Sequence, residues 1–132
     1  MILEKVKLSK LDNVDSNNFI VPKNVVEEFI ENNPSYEKEC GTEIGLKGLN
    51  PSTDEVSHVL RNLRIEDGFL YGDVEIYDND EGNELKKLVD GIGEENLCGA
   101  FVATVDYDDE SKKVVTDVSE VLCFYSEYGR NY

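Results

Sequence analysis

Hydrophobic and polar residues alternate along much of this chain, a pattern typical of strands that bury one face. The clearest alternation spans Val56 to Tyr77, VSHVLRNLRIEDGFLYGDVEIY, in which two β-rich runs are joined by Glu66-Asp67-Gly68. An Asp-Gly pair between two such runs predicts a β-hairpin, because glycine adopts a positive φ at no steric cost. One face of the second run is predicted to consist of Leu70, Gly72, Val74 and Ile76.

Three further stretches have the composition of strands. Residues 2–8 alternate apolar and polar side chains, which predicts a half-exposed strand. Residues 97–107 and 113–125 are β-rich, and the acidic residues 108–111 between them predict an exposed turn. With the hairpin, the chain is expected to contain five or six strands.

A helical pattern begins after Pro22, a residue that helices tolerate best at their first position. It ends at Asn32-Asn33-Pro34, because the residue before a proline avoids the α region. A short amphipathic helix is therefore predicted, with its apolar face formed by Val25, Val26, Phe29 and Ile30.

A second short helix is predicted over residues 78–91. Its first residues are acidic, which favours the helix dipole, and Gly91 occupies the position of a C-terminal cap. Its narrow apolar stripe consists of Leu85, Leu88 and Val89.

The order of these elements predicts an α+β domain with a mainly antiparallel sheet or barrel and two short flanking helices. Residues 35–55 contain three glycines and are expected to be irregular. The 132 residues contain no linker-like segment, so we expect a single domain over residues 1–132, with residues 126–132 as a mobile tail.

The net charge of −16 narrows the range of partners. Nucleic acid is disfavoured, because binding to it depends on neutralising phosphates with basic residues. A solvated acidic surface is the simplest explanation of the charge, and a basic protein partner is the alternative. No apolar run approaches the roughly 18 residues of a membrane helix, so no membrane contact is expected.

The chain has one histidine, His58, and three cysteines, Cys40, Cys98 and Cys123. An odd number of cysteines without CxxC spacing is typical of reduced thiols in a protein made in the cytosol. His58 could act as a general base for a thiolate at Cys98 or Cys123. Equally, a lone histidine in a strand is often a hydrogen-bonded structural residue, and a buried cysteine behaves as a small hydrophobe.

The acidic residues 78–84 do not fit a calcium-binding loop. Such a loop starting at Asp78 needs glycine at its sixth position, which is Asn83, and glutamate at its twelfth, which is Val89. Nothing in the sequence matches a phosphate loop, a zinc site or a dinucleotide fingerprint. We therefore expect no metal and no cofactor.

Four segments together resemble the prohead core proteases of tailed bacteriophages, which are related in fold to the herpesvirus assemblin proteases. They are NNFIVPKNVVEEFIENN (17–33), DEVSHVLRNLRIEDGFLYGDVEIYDNDEGNELKKLVDGI (54–92), NLCGAFVATVD (96–106) and VVTDVSEVLCFYSEYG (114–129). The second segment is similar to the family's central hairpin and following helix, and the third lies where the family has its serine-bearing strand. The resemblance implies a prohead-protease-like fold.

The chain differs from the family at the positions that would carry the chemistry. Asn50 stands where the family has a histidine before a proline, and an amide cannot act as a general base. Cys98 and Gly99 stand in the family's Ser-Ser-Arg-Gly run, where no serine remains. These departures imply a catalytically degenerate member of the family.

The resemblance and its departures lead to one main expectation and two alternatives. The main expectation is a non-enzymatic virion protein, made in the bacterial host cytoplasm, that decorates the capsid and binds the major capsid protein or other capsid components. A homo-oligomer would fit a capsid lattice. The first alternative is an active prohead maturation protease that uses Cys98 with His58. The second is a phage assembly factor that is absent from the mature particle.

Overall fold

The computed structural model describes residues 1–42, 51–52 and 54–126. These residues form seven strands, two α-helices and one 3-10 turn. The strands are β1 (Ile2–Lys10), β2 (Phe19–Ile20), β3 (Glu37–Cys40), β4 (His58–Glu66), β5 (Phe69–Ile76), β6 (Leu97–Tyr107) and β7 (Lys113–Tyr125). The helices are α1 (Lys23–Asn32) and α2 (Asp80–Ile92), and the 3-10 turn is Glu94–Asn96.

The strands form two sheets that face each other across one core. The first sheet has the order β1-β5-β4-β3 and is antiparallel throughout. The second has the order β2-β7-β6, in which β6 and β7 are antiparallel and the two-residue β2 is parallel to β7. The prediction of an α+β fold with a mainly antiparallel sheet and two short helices is therefore confirmed.

The core is built from alternate residues of both sheets and from one face of each helix. Burying these side chains removes apolar surface from water, which is the main favourable contribution to folding. The helices contribute Val26 and Phe29 from α1 and Leu85 and Val89 from α2. Fully buried strand residues include Leu60, Leu70, Val74, Leu97 and Val121.

The β4–β5 hairpin has the structure that its sequence predicts. Asp67 and Gly68 form a two-residue turn with φ of 51° and 81°, and positive φ at both positions suits the right-handed twist of the strands. Leu70, Gly72, Val74 and Ile76 are the buried face of β5, as predicted. The predicted strands over residues 97–107 and 113–125 also match β6 and β7.

Helix α1 begins without a side-chain cap at Pro22. A carboxylate from the preceding loop supplies the acceptor instead, because Asp12 Oδ1 accepts the Lys23 N–H at 2.8 Å. This satisfies one of the backbone N–H groups that the first turn of any helix leaves without an intrahelical partner. The helix ends at Asn32, as the Asn-Asn-Pro sequence predicts.

Helix α2 corrects one detail of the prediction. Asn79 caps its first turn by accepting the Gly82 N–H at 2.7 Å, and the acidic residues lie in that turn as expected. Gly91, however, lies within the helix, and the C-terminal cap is Gly93 with φ of 124°. The apolar stripe does not show which of the two glycines caps the helix. Ile92, the helical residue between them, is exposed and does not extend the buried face.

Two short strands lie where the sequence predicts none. Strand β3 occupies part of the stretch 35–55 that was expected to be irregular, and only Cys40 of its four residues is buried. Strand β2 has two residues, too few for any alternation to be visible. The remainder of the predicted tail, residues 127–132, lies outside the described residues, whereas Ser126 exchanges hydrogen bonds with Asn96 at 2.9 and 2.8 Å.

The two sheets approach each other closely where β6 crosses β1. A Cβ atom at Gly99 would lie 2.7 Å from the Leu8 carbonyl oxygen and 2.8 Å from Leu8 Cβ. Only glycine allows this approach, because both atoms are fixed by the backbone of β1 and cannot turn away. Gly99 therefore has a packing role at the closure between the sheets.

Candidate active site

Strands β3 and β7 lie side by side but are not paired with each other in either sheet. Side chains from residues 36–40 and His58 bridge to residues 120–123, and the Tyr125 N–H donates to the Thr42 carbonyl at 2.9 Å. We call this contact zone, residues 36–42 and His58 against residues 120–125, the β3–β7 seam. It closes the space between the two sheets at the edge opposite Gly99.

Tyr36 is the first bridge of the seam. Its hydroxyl donates to the Val121 carbonyl at 2.9 Å and accepts the Val121 N–H at 3.0 Å, so one side chain satisfies both backbone groups of that residue. Burial raises the pKa of Tyr36 above its ordinary value, so the hydroxyl keeps its proton at neutral pH. Beside it, Lys38 Nζ and Glu120 Oε1 form an ion pair at 3.0 Å.

His58 is the second bridge, and both of its ring nitrogens are hydrogen-bonded to protein atoms. Nε2 lies 2.7 Å from the Cys123 carbonyl oxygen, and Nδ1 lies 2.8 Å from Ser57 Oγ. His58 and Ser57 are fully buried. Ser57 Oγ also lies 3.3 Å from the Cys40 carbonyl oxygen, so the hydroxyl has two possible acceptors for its one proton.

Burial lowers the pKa of His58 from 6.5 to about 4, because a charged imidazolium is poorly solvated inside the protein. The hydrogen bond to the Cys123 carbonyl opposes this shift but is the smaller effect. The ring is therefore neutral at physiological pH. Burial likewise raises the pKa of the Cys40 thiol to about 11, which makes Cys40 a poor nucleophile at neutral pH.

Cys98 lies at the start of β6, opposite Phe124 of β7. The side chain is buried, and its thiol donates a weak hydrogen bond to the Asn96 carbonyl at 3.5 Å. The neighbouring ladder position pairs Gly99 with Cys123, the residue whose carbonyl accepts from His58. Cys98 and the His58 bridge are thus one ladder step apart along β7.

A groove of about 430 Å³ runs along β6 past Gly99 and Phe124, whereas Cys98 itself is buried and is not part of the groove lining. Its apolar wall is formed by residues of β1, β6 and β7 around the Leu8–Gly99 crossing. Its polar wall is formed by Asp15 and Asn17, in the loop before β2. Among the described residues β6 is an edge strand of its sheet, although β1 approaches it at the Leu8–Gly99 crossing. Side chains from β1, β2, β6 and β7 line the groove. The lining includes Leu8, Asp15, Phe19, Val21, Gly99, Ala100, Phe101, Ala103 and Phe124.

Within the described residues, no group of three or more histidine, cysteine, aspartate or glutamate side chains could hold a metal ion. In the same part of the chain, no helix is long and apolar enough to cross a membrane. Asp108, in the acidic turn, accepts the backbone N–H groups of Glu110 and Lys112 through Oδ1 at 2.9 and 2.8 Å. That carboxylate therefore orders the turn between β6 and β7.

The candidate site residues from the sequence lie in different parts of the structure. Asn50 lies outside the described residues. Cys98 and Gly99 lie on β6 beside the groove, and His58 lies in the seam, hydrogen-bonded to Ser57 and to the Cys123 carbonyl. That His58 and Cys98 act together in catalysis stays a prediction.

The sequence did not indicate Tyr36 of the seam or Ser57, the residue that contacts the His58 ring beside it. Tyr36 contacts Val121, a residue far along the chain, and Ser57 contacts the ring of the adjacent His58. No periodicity or sequence motif marks either contact. The adjacent pair Ser57-His58 at the beginning of a β-rich run was the available signal. A hydroxyl next to a histidine is too common a dipeptide to be informative without the tertiary contact.

The arrangement of two sheets and two flanking helices is also found in a solved structure of a phage capsid assembly protease. The solved structure that shows this is that of the capsid assembly protease gp21 of bacteriophage T4, with a TM-score of 0.70. The match covers 96% of this chain and 91% of that chain at 11% identity. No protein-family model and no curated protein sequence matches the chain.

This match corrects the main functional expectation. A non-enzymatic decoration protein was inferred from substitutions at two family positions, but the chain has the fold of a protease over nearly its whole length. The substitution at Cys98 does not by itself imply a non-enzyme, and the Asn50 position lies outside the described residues. Replacing a serine by Cys98 does not remove a nucleophile, because a thiolate is intrinsically the stronger one.

Proposed function

We propose that this chain is a peptidase of phage capsid assembly, with Cys98 as its nucleophile. The observation that carries the proposal is the fold match to a capsid assembly protease over 96% of this chain and 91% of the other. The setting of the reaction would then be an assembling phage particle, and the substrates would be capsid or scaffold proteins.

The groove beside β6 supports this proposal. A peptide that is to be cleaved must be held extended, and an edge strand offers unpaired backbone groups with which an extended peptide can form a further strand. The groove passes Gly99 and Phe124, which are the chain neighbour and the cross-strand neighbour of Cys98. A scissile bond in the groove would therefore lie close to the thiol.

The chemistry of a thiol also fits a site with few ionisable groups. Attack by the Cys98 thiolate on a peptide carbonyl would form a tetrahedral intermediate, and its collapse, with a proton from water reaching the departing nitrogen, would release the amine and leave a thioester. Water would then hydrolyse the thioester and restore the thiol. A thiol ionises far more readily than an alcohol, so a cysteine at this position depends less on an adjacent base than a serine would.

The proposal is tested by incubating the purified chain with capsid and scaffold proteins and following cleavage by mass spectrometry. We expect cleavage by the wild type and by Cys40→Ala, because the Cys40 thiol has a raised pKa and lies in the seam. We expect none by Cys98→Ala. Cleavage that survives Cys98→Ala would reject Cys98 as nucleophile, and binding of the same proteins without any cleavage would reject the peptidase.

A further inference from the structure

The hydrogen bonds of His58 determine which ring nitrogen carries the proton. The Cys123 carbonyl oxygen can only accept, so Nε2, at 2.7 Å, must be the donor. In a neutral ring the other nitrogen is then unprotonated. Nδ1 accordingly accepts the Ser57 hydroxyl proton at 2.8 Å, and the ring has no lone pair left for a further partner.

The acceptor of this bond has a particular place in the fold. Cys123 lies on β7 opposite Gly99, next to the pair formed by Cys98 and Phe124. One edge of β7 pairs with β6, which carries Cys98, and its other edge meets the first sheet through the side chains of the β3–β7 seam. The ring therefore ties the strand pair that carries Cys98 to the first sheet.

We propose that His58, oriented by Ser57, is a positioning residue that holds the Cys98 strand pair in place, and that it is not the proton acceptor of the reaction. The fully buried ring, with both nitrogens hydrogen-bonded to protein, offers no nitrogen to a substrate or to the thiol. Its lowered pKa agrees with this role, since a neutral ring is a steady hydrogen-bond donor across the physiological range.

Ser57 shares the positioning role. Its hydroxyl is 2.8 Å from Nδ1, a geometry that resembles a nucleophile and its base, but the hydroxyl is fully buried and cannot meet a peptide carbonyl. Its contribution is to fix the ring orientation by donating a hydrogen bond to Nδ1. Cys98 is also buried, but it differs from Ser57 in that its neighbours Gly99 and Phe124 line the groove.

Two substitutions of His58 separate positioning from proton transfer. The side-chain amide of His58→Gln can still donate to the Cys123 carbonyl but cannot accept a proton at neutral pH, whereas His58→Leu can do neither. If His58 positions, Gln retains most of the peptide hydrolysis and Leu loses it. If His58 is the base, both variants are as inactive as Cys98→Ala, and this outcome would overturn the proposal. Ser57→Ala should lose only part of the hydrolysis, because the ring keeps its bond to the Cys123 carbonyl. Complete inactivity with an unchanged fold would contradict the inference by making Ser57 the nucleophile.

The kinetic comparison rests on the proposed peptidase, so two further measurements on the full chain do not depend on activity. Nitrogen-15 NMR of wild-type His58 should show a neutral Nε2–H ring at pH 7, and an Nδ1–H or charged ring would overturn the inference. Alkylation of Cys98, resolved by peptide mass spectrometry, should be about tenfold faster in His58→Leu than in wild type and within about twofold in His58→Gln, because the lost hydrogen bond allows local opening.

Each combination of results has one meaning. If the wild type cleaves nothing while the NMR and alkylation results are as expected, the peptidase is rejected and the positioning role stands. If alkylation of Cys98 is equal in all three proteins, the ring does not hold the strand pair and the positioning role is rejected, whatever the cleavage assay gives. Should His58→Leu fail to fold, the wild-type NMR spectrum and the Gln variant still decide between the two roles.

Discussion

The β4–β5 hairpin and the β3–β7 seam both join neighbouring strands, but by different means. In the hairpin a two-residue turn brings the strands together and a backbone ladder joins them over almost their whole length. In the seam the strands come from distant parts of the chain and side chains bridge them, chiefly Tyr36 and His58. A backbone ladder survives most substitutions, whereas a side-chain bridge depends on one residue. The seam should therefore be far more sensitive to mutation than the hairpin.

The largest effect is expected from His58→Leu. Leucine fills similar space but removes one hydrogen bond from the Cys123 carbonyl and one from the Ser57 hydroxyl, and each such buried bond that is lost costs about 1–3 kcal/mol. We expect the free energy of unfolding, measured in urea, to fall by about 3–4 kcal/mol. The His58→Gln variant should lose about 1 kcal/mol, because it keeps the donor to Cys123. Equal losses in the two variants would show that the bridge does not stabilise the seam.

Acid should weaken the seam in a way that depends on His58. The pKa of His58 is about 4 in the folded protein against an ordinary value of 6.5, so below pH 6.5 the unfolded chain takes up a proton that the folded chain does not. Stability that is complete above pH 6.5 is thus lost as the pH falls towards 4, by about 3 kcal/mol in total.

The measurement is urea unfolding at pH 7 and pH 4.5 for the wild type and for His58→Gln. Carboxylates titrate in both proteins, so the difference between the two pH dependences isolates His58. We expect the wild type to lose more stability than the variant over this interval. The same loss in both would mean that His58 titrates normally in the folded state, and hence that the ring is not held as the seam requires.

A smaller effect is expected from Tyr36→Phe, which removes one hydroxyl from the seam. Both the N–H and the carbonyl of Val121 lose their partner, so we expect a loss of about 1–2 kcal/mol in urea unfolding. The matched control in the hairpin is Tyr71→Phe on β5, where the tyrosine is half-buried and the change should be within about 0.5 kcal/mol. If the control is as destabilising as the seam variant, the contrast between the two regions fails.

The smallest effect is expected from Arg64→Ala on the hairpin. Arg64 pairs with Asp73 at 3.1 Å, and their side chains are 36% and 19% exposed. We expect a loss of stability below about 1 kcal/mol, because an ion pair that solvent still reaches contributes little. A loss comparable to that of Tyr36→Phe would show that side-chain contacts also govern the hairpin.

The hairpin and the seam also differ in how far they could be predicted. The turn at Asp67-Gly68, the buried face of β5 and the positions of β6 and β7 all follow from period and turn chemistry, which are local. Strand β3 was missed because its four residues alternate only weakly and are mostly charged. Helix α2 is capped by Gly93 and not by Gly91. The sequence could not show this, because an apolar stripe does not indicate which residue caps the last helical turn.

The candidate site was predictable only in part. Cys98 could be found from the sequence because a cysteine stands on the strand where the resembled family carries its serine. The groove beside it could not, since its walls come from β1, the loop before β2 and β6. The expectation of a non-enzymatic decoration protein came from treating two substitutions as the loss of activity, and the fold match to a capsid assembly protease corrects it.

The amino-acid sequence by itself determined the elements that depend on neighbouring residues: the hairpin, the two helices, the long β6–β7 pair and the α+β class. Only the tertiary structure decided the role of His58. The sequence shows a lone histidine at the start of a strand, whereas the fold places its ring between Ser57 and a carbonyl 65 residues away. Burial and hydrogen-bond partners set the protonation and the role of a histidine, and both depend on residues that only folding brings together.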